Sequence, residues 1–248
     1  MNGDWYAWSV NSGNLAAYKQ AWIRFVNIAR TAYPEAKIVF SPTIGSHSDV
    51  SAANMWPGDA YVDVVGVDAY DMWPSYTSQA IWDNQYMALD STGSPAGVGS
   101  WLAFARAHGK PMSVPEWGID WQADDGGVPQ DNPLYIAKMH QFFADNAGTG
   151  AGQILYECYF NVPQDADTTH MIYPVGVNPN ASAMYRSLIW GGRHRQPPTP
   201  VPPVYIGDLN NDRKVDVFDL SILLSKWGTN DQPPRPGPRW GGWRRTAE

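Results

Sequence analysis

YVDVVGVDAY, residues 61–70, decides the fold. It is a short run rich in β-branched residues, the composition of a strand. Outward from it, KIVFSPT (37–43), PMSVPEWG (111–118) and GQILYECYF (152–160) read the same way. Between them run segments of helical period. Residues 14–33 place Leu15, Tyr18, Trp22, Phe25, Val26 and Ala29 at helical spacing, with Asn14 as N-cap and Pro34 after the end. Residues 99–110, 132–147 and 180–191 read as further helices, with Gly109 and Gly191 as stops. Helices alternating with short apolar strands predict an α/β chain with a parallel sheet. The stretches 71–97 and 117–131 read as long polar loops. That asymmetry suits a (β/α)8 barrel, whose site loops follow the carboxyl ends of its strands. A doubly wound open sheet is the alternative, but no Gly-rich phosphate loop follows any strand.

Composition narrows the function. The chain has 248 residues, 44% of them hydrophobic, enough to bury a core. A net charge of −7 argues against nucleic acid as partner. No run approaches the length of a membrane span. Thirteen Trp and thirteen Tyr give many flat apolar faces with polar tips, which suit the CH faces of sugar rings or a Trp-rich core about equally. The lone Cys158 excludes a disulfide framework and a cysteine zinc site, and its apolar surroundings predict a buried, inert thiol. The opening MNGDWYAW lacks the basic flank and apolar stretch of a signal peptide.

Four glutamates are available: Glu35, Glu116, Glu157 and Glu248. Glu35 reads as a solvated loop charge, and Glu248 is terminal. Glu116, in VPEWG, follows a buried strand beside a Trp. A carboxylate there is costly unless it has a task, and at the carboxyl end of a barrel strand that task is catalysis. An ion pair in the barrel mouth is the alternative. Glu157 sits inside LYECYF and reads more readily as a structural charge. Glycoside hydrolysis needs two carboxyl groups, about 5–5.5 Å apart in retaining enzymes. Asp68 and Asp71 both fit as the second on spacing.

MNGDWYAW resembles the acid/base motif of glycoside hydrolase family 26, His-Glu-Met-Asn-Gly-x-Trp-x-x-Trp, through Met1, Asn2, Gly3, Trp5 and Trp8. YVDVVGVDAYDMW resembles that family's sixth-strand segment, and KPMSVPEWG its seventh. The resemblance covers residues 1–191. It implies that Glu116 is the nucleophile and that Tyr70 hydrogen-bonds it. It also implies that the four strands are numbers 5–8, the carboxyl-terminal half of a barrel. The His and the acid/base Glu would then precede Met1, with a signal peptide upstream. The family implies a secreted, extracellular endo-glycosidase, most often a β-1,4-mannanase. Mixed-linkage β-glucan and β-1,3-xylan are the other substrates. Trp5, Trp8, Trp73 and Trp117 become candidate sugar-stacking residues, with core packing as the alternative.

Residues 192–206 hold five prolines and read as an extended linker. In GDLNNDRKVDVFDLSILLSKWG (207–228), Asp208, Asn210, Asp212, Lys214, Asp216 and Asp219 take the ligand positions of an EF-hand loop, Lys214 through its carbonyl. This hard-oxygen set predicts Ca2+. The apolar helix after it resembles a dockerin repeat, which implies a cohesin partner. Arg213 departs from the usual Gly, and a single repeat is present. Residues 229–248 read as a disordered tail. The competing reading of the whole is a non-catalytic, calcium-dependent carbohydrate or cohesin binder.

Overall fold

The computed structural model describes residues 3, 7–45, 48–72, 75–120, 131–162, 170–176 and 178–189. The linker, the 207–228 loop and the 229–248 tail lie outside the described residues. The chain divides into two compact units, residues 1–27 with 37–195, and residues 28–36 with 196–248. Of the second unit, the described residues are the end of a helix and its closing turn, where the Ala36 amide donates to the Tyr33 carbonyl at 3.0 Å.

In the first unit four strands form one sheet: β1 (Val39–Phe40), β2 (Val64–Tyr70), β3 (Met112–Gly118) and β4 (Ile154–Tyr159). They lie side by side in chain order, and every pairing is parallel. Helix α1 (Leu15–Ala32) precedes β1, α2 (Gln79–Tyr86) and α3 (Val98–Ala107) cross over from β2 to β3, α4 (Pro133–Asn146) crosses from β3 to β4, and α5 (Pro179–Ile189) follows β4. The β1–β2 connection carries two short 3-10 turns, Ala53–Met55 and Asp59–Tyr61. This is the α/β repeat expected from the alternation.

Several expectations are corrected. The first strand is shorter than 37–43. Pro42 has no amide to donate, so the ladder breaks, although its carbonyl still accepts from the Asp68 amide at 2.9 Å. The span 71–97 is not all loop. It contains α2, whose N-cap Ser78 accepts from the Ile81 amide. Asn14 turns its carboxamide back to the Ser9 carbonyl and the Asn11 amide. In α1 the stripe Leu15, Tyr18, Trp22 meets the core and Val26 is fully buried, whereas Phe25 is 52% exposed. Gly109 ends α3 as expected, at φ 67°.

One face of the sheet carries the core. Val65, Val67 and Ala69 of β2, Met112, Val114 and Trp117 of β3, and Ile154 of β4 pack beneath Trp101, Tyr135, Met139 and Phe143 of the helices. The register is not uniform. Gly66 pairs with Ser113 and Asp68 with Glu116, so three steps on β3 answer two on β2. The extra residue falls beside Pro115, which cannot donate to the ladder. It is a β-bulge, the device that re-aims a side chain.

Candidate active site

Alternation along β2 sends Asp68 and Tyr70 to the face opposite the core residues Val67 and Ala69. The β3 bulge brings Glu116 into register with Asp68 on that same face. The Tyr70 hydroxyl donates to Glu116 Oε1 at 2.6 Å, a short charge-assisted contact. Ser41, just after β1, donates to Asp68 Oδ1 at 2.9 Å. Gly66 makes room for it, since a Cβ there would sit 2.7 Å from Ser41 Oγ. Adjacent strands thus contribute a hydroxyl, a carboxyl, a phenol and a second carboxyl, all near the carboxyl ends of parallel strands.

The electrostatics separate these groups. Burial, and then the Glu116 charge, push the Asp68 carboxyl up to about 7, while the Ser41 bond opposes the shift. Asp68 therefore holds a proton below neutrality beside Glu116. Burial and the bond to Glu116 push the Tyr70 phenol far up, so Tyr70 stays a donor. A carboxylate steadied by a fixed donor, next to a carboxyl group that exchanges a proton near pH 7, can attack an electrophilic carbon and move a proton beside it.

Asp71 belongs to different work. It is fully buried, and burial pushes it up to about 6. It accepts from the Tyr76 amide at 2.6 Å and from Asn132 Nδ2 at 2.7 Å. Asn132 in turn caps α4 by accepting from the Leu134 and Tyr135 amides. Asp71 thus pins the segment after β2 to the start of α4. Of the two aspartates that spacing left open, geometry puts Asp68 beside Glu116.

Glu157 accepts from Trp117 Nε1 at 2.5 Å, on the helix-covered side. Trp117 is 1% exposed and ringed by Tyr135, Phe143, Tyr159 and Tyr185. It is a core residue, which corrects its candidacy as a sugar platform. Cys158 is exposed, not buried. It alternates with Glu157 and Tyr159, which both touch Trp117, so it takes the opposite face of the sheet's last strand. Partial burial and the Glu157 charge raise its thiol, which argues against a thiolate nucleophile.

Trp8 is 70% exposed. Trp5 and Trp73 lie outside the described residues, as do Asp208, Asn210, Asp212, Lys214, Asp216 and Asp219. Among the described residues no group of three or more His, Cys, Asp or Glu could hold a metal ion. No helix among them is long and apolar enough to cross a membrane. Two site residues escaped the sequence reading. Ser41 gave one weak signal, its place at the end of a strand pattern. His170, 2% exposed against the Tyr70 ring at 4.7 Å between centroids, gave none.

Comparison with known proteins finds similarity over parts of the chain. A family model described as glycosyl hydrolase family 26 matches residues 1–101, a stretch that includes Ser41, Asp68 and Tyr70. Endoglucanase H of Acetivibrio thermocellus is 25% identical over 256 residues, covering 99% of this chain and 25% of that protein. A mannan endo-1,4-beta-mannosidase of Bifidobacterium adolescentis is 21% identical over 155 residues, covering 60% of this chain and 15% of that protein. The chain spans a quarter or less of the length of these curated relatives. Both are glycoside hydrolases. Among solved structures, a GH26 beta-mannanase from Bacteroides ovatus matches at 18% identity and TM-score 0.45, over 75% of this chain and 47% of that one. GH26C from a Muricauda species matches at 20% and 0.47, over 75% and 46%.

Proposed function

We propose that Glu116 is the nucleophile of a retaining endo-glycosidase that cuts a β-linked plant polysaccharide, with β-1,4-mannan as the lead substrate. The 2.6 Å bond from Tyr70 to Glu116 carries this reading. It holds one carboxylate oxygen and leaves the other to attack. Glu116 forms an ester to the anomeric carbon as the glycosidic bond breaks, and an acid gives its proton to the leaving oxygen. Water then attacks the ester, with that acid now acting as base. The family resemblance supplies a glutamate ahead of Met1 for the acid. Within the chain, Asp68 is the carboxyl group that holds a proton beside Glu116.

The name of the Bifidobacterium relative favours mannan, and that of the Acetivibrio relative favours a glucan. Mixed-linkage β-glucan and β-1,3-xylan are therefore the next substrates. A 2-fluoro-mannobiosyl fluoride tests the nucleophile directly, because fluoride leaves without help from an acid. The expected result is a mass increase that maps to Glu116 and is lost in Glu116→Gln. A label that survives this substitution sinks the reading.

The calcium loop and its cohesin partner belong to the same proposal and rest on ligand spacing alone. They would tether a secreted, extracellular glycosidase. Calorimetry of the chain with Ca2+ should show one binding event that Asp208→Ala with Asp212→Ala removes. Absence of heat in the unaltered chain would leave an acidic turn. The competing non-catalytic binder predicts mannan affinity with no covalent label.

A further inference from the structure

His170 follows β4 in sequence and lies inside the structure, 2% exposed. Its imidazole is held on three sides by described residues, which together fix its orientation. Nδ1 lies 2.6 Å from the Ile119 carbonyl. A carbonyl only accepts, so Nδ1 carries the hydrogen and the tautomer is set. The ring lies against Tyr70, with centroids 4.7 Å apart and planes at 46°. Phe160 closes the third side, 5.4 Å from His170 and 6.1 Å from Tyr70. The backbone is pinned as well, because Tyr159 Oη donates to the His170 carbonyl at 2.8 Å. Gly118 lies between these rings: a Cβ there would reach Tyr70 at 3.4 Å and both His170 and Tyr159 at 3.6 Å.

This arrangement has a direction. Ile119 directly follows β3, which carries Glu116, and Tyr70 ends β2. The imidazole thus ties the backbone just past Glu116 to the ring whose hydroxyl bonds Glu116. We propose that His170 is a positioning residue for Glu116, holding the Tyr70 ring at the angle from which its hydroxyl reaches the carboxylate. The proposal rests on the reading of Glu116 as the working carboxylate. His170 touches no reacting atom. Among the described residues, the charged or titratable groups facing the assembly are Asp68 from β2, Tyr159 from β4, and Asp120, whose Oδ1 is 4.0 Å from His170 Nδ1.

The test needs no turnover. Four glutamates make carboxyl-13C glutamate labelling of the whole 248-residue chain tractable, and Glu116→Gln assigns the Glu116 signal. Tyr70→Phe should move the Glu116 carboxyl-13C shift, read at one fixed pH, because the carboxylate loses its phenol donor. His170→Ala should move it in the same direction by about half as much, and the double variant no further than Tyr70→Phe alone. His170→Phe keeps an aromatic ring in place but loses the bond to Ile119, and should move the shift too. An unmoved shift in either folded His170 variant, or strict additivity in the double, overturns the proposal. Covalent labelling can fail while these shifts appear, or succeed without them, so the two readings fail separately.

Discussion

The two faces of the sheet hold one strand glutamate each, and they treat it differently. On the helix-covered face Glu157 meets the indole of Trp117, inside a crowd of aromatic rings. On the other face Glu116 meets a phenol and a second carboxyl group, with a serine hydroxyl bonded to the latter. The first face spends its polar groups on packing. The second crowds two carboxyl groups together, one of them kept protonated below neutrality by burial and by its neighbour's charge, and holds them with directed hydrogen bonds. Such concentration of unfavourable groups is the mark of a functional surface.

The contrast can be broken most forcefully at Trp117. Replacing it by Ala should cost about 3–5 kcal/mol, read as a lowered urea midpoint. A loss under 1 kcal/mol would mean the helix-covered face is not the core. Asp71→Ala should come next, at about 2 kcal/mol, because it leaves the buried Tyr76 amide without its acceptor and removes one of the two bonds that Asn132 Nδ2 donates. Asp71→Asn should cost less, and equal costs would deny the clamp.

On the polar face the effect is a slope with pH. Asp68 is raised to about 7 in the folded chain, and an unfolded aspartate titrates in the ordinary carboxylate range. Between these values the folded chain keeps a proton that the unfolded chain has lost. Stability therefore falls as pH rises through that window. Asp71, raised to about 6, adds to the fall with the same sign. Melting temperatures at pH 5 and pH 8 should differ less in Asp68→Asn than in the parent chain, and an unchanged difference would remove Asp68 from the account. The smallest effect belongs to Glu157→Gln, which keeps an acceptor for the Trp117 indole. It should cost under about 1 kcal/mol and leave the Glu116 carboxyl-13C shift at fixed pH unmoved.

Much of the scaffold could be read from the chain, because buried parallel strands and amphipathic helices carry strong periods. Helix α2 escaped, since QAIWDNQY buries only Trp82 and shows almost no apolar stripe. Its capping serine was the legible clue. Trp117 and Cys158 were misjudged for one physical reason. A strand's sequence does not say which face its neighbours will cover, and β4 is the last strand of the described sheet, where an apolar run need not be buried. The Tyr70 pairing with Glu116 came from family likeness, not from spacing, because it joins residues 46 positions apart. The His170 contact depends on a loop's path, which no local pattern encodes.

The bulge beside Pro115 acts like a change of parity. Before it, the even-numbered Met112 and Val114 enter the core; after it, the odd-numbered Trp117 does. In a code with a period of two, one added position reverses every later assignment. Were β3 to keep Pro115 but run through it in strict alternation, without the bulge, the indole would face Asp68 while the carboxylate was thrust among the helices. The site on this sheet thus depends on a count, one residue more than the pleat requires, as much as on the chemistry of the residues counted.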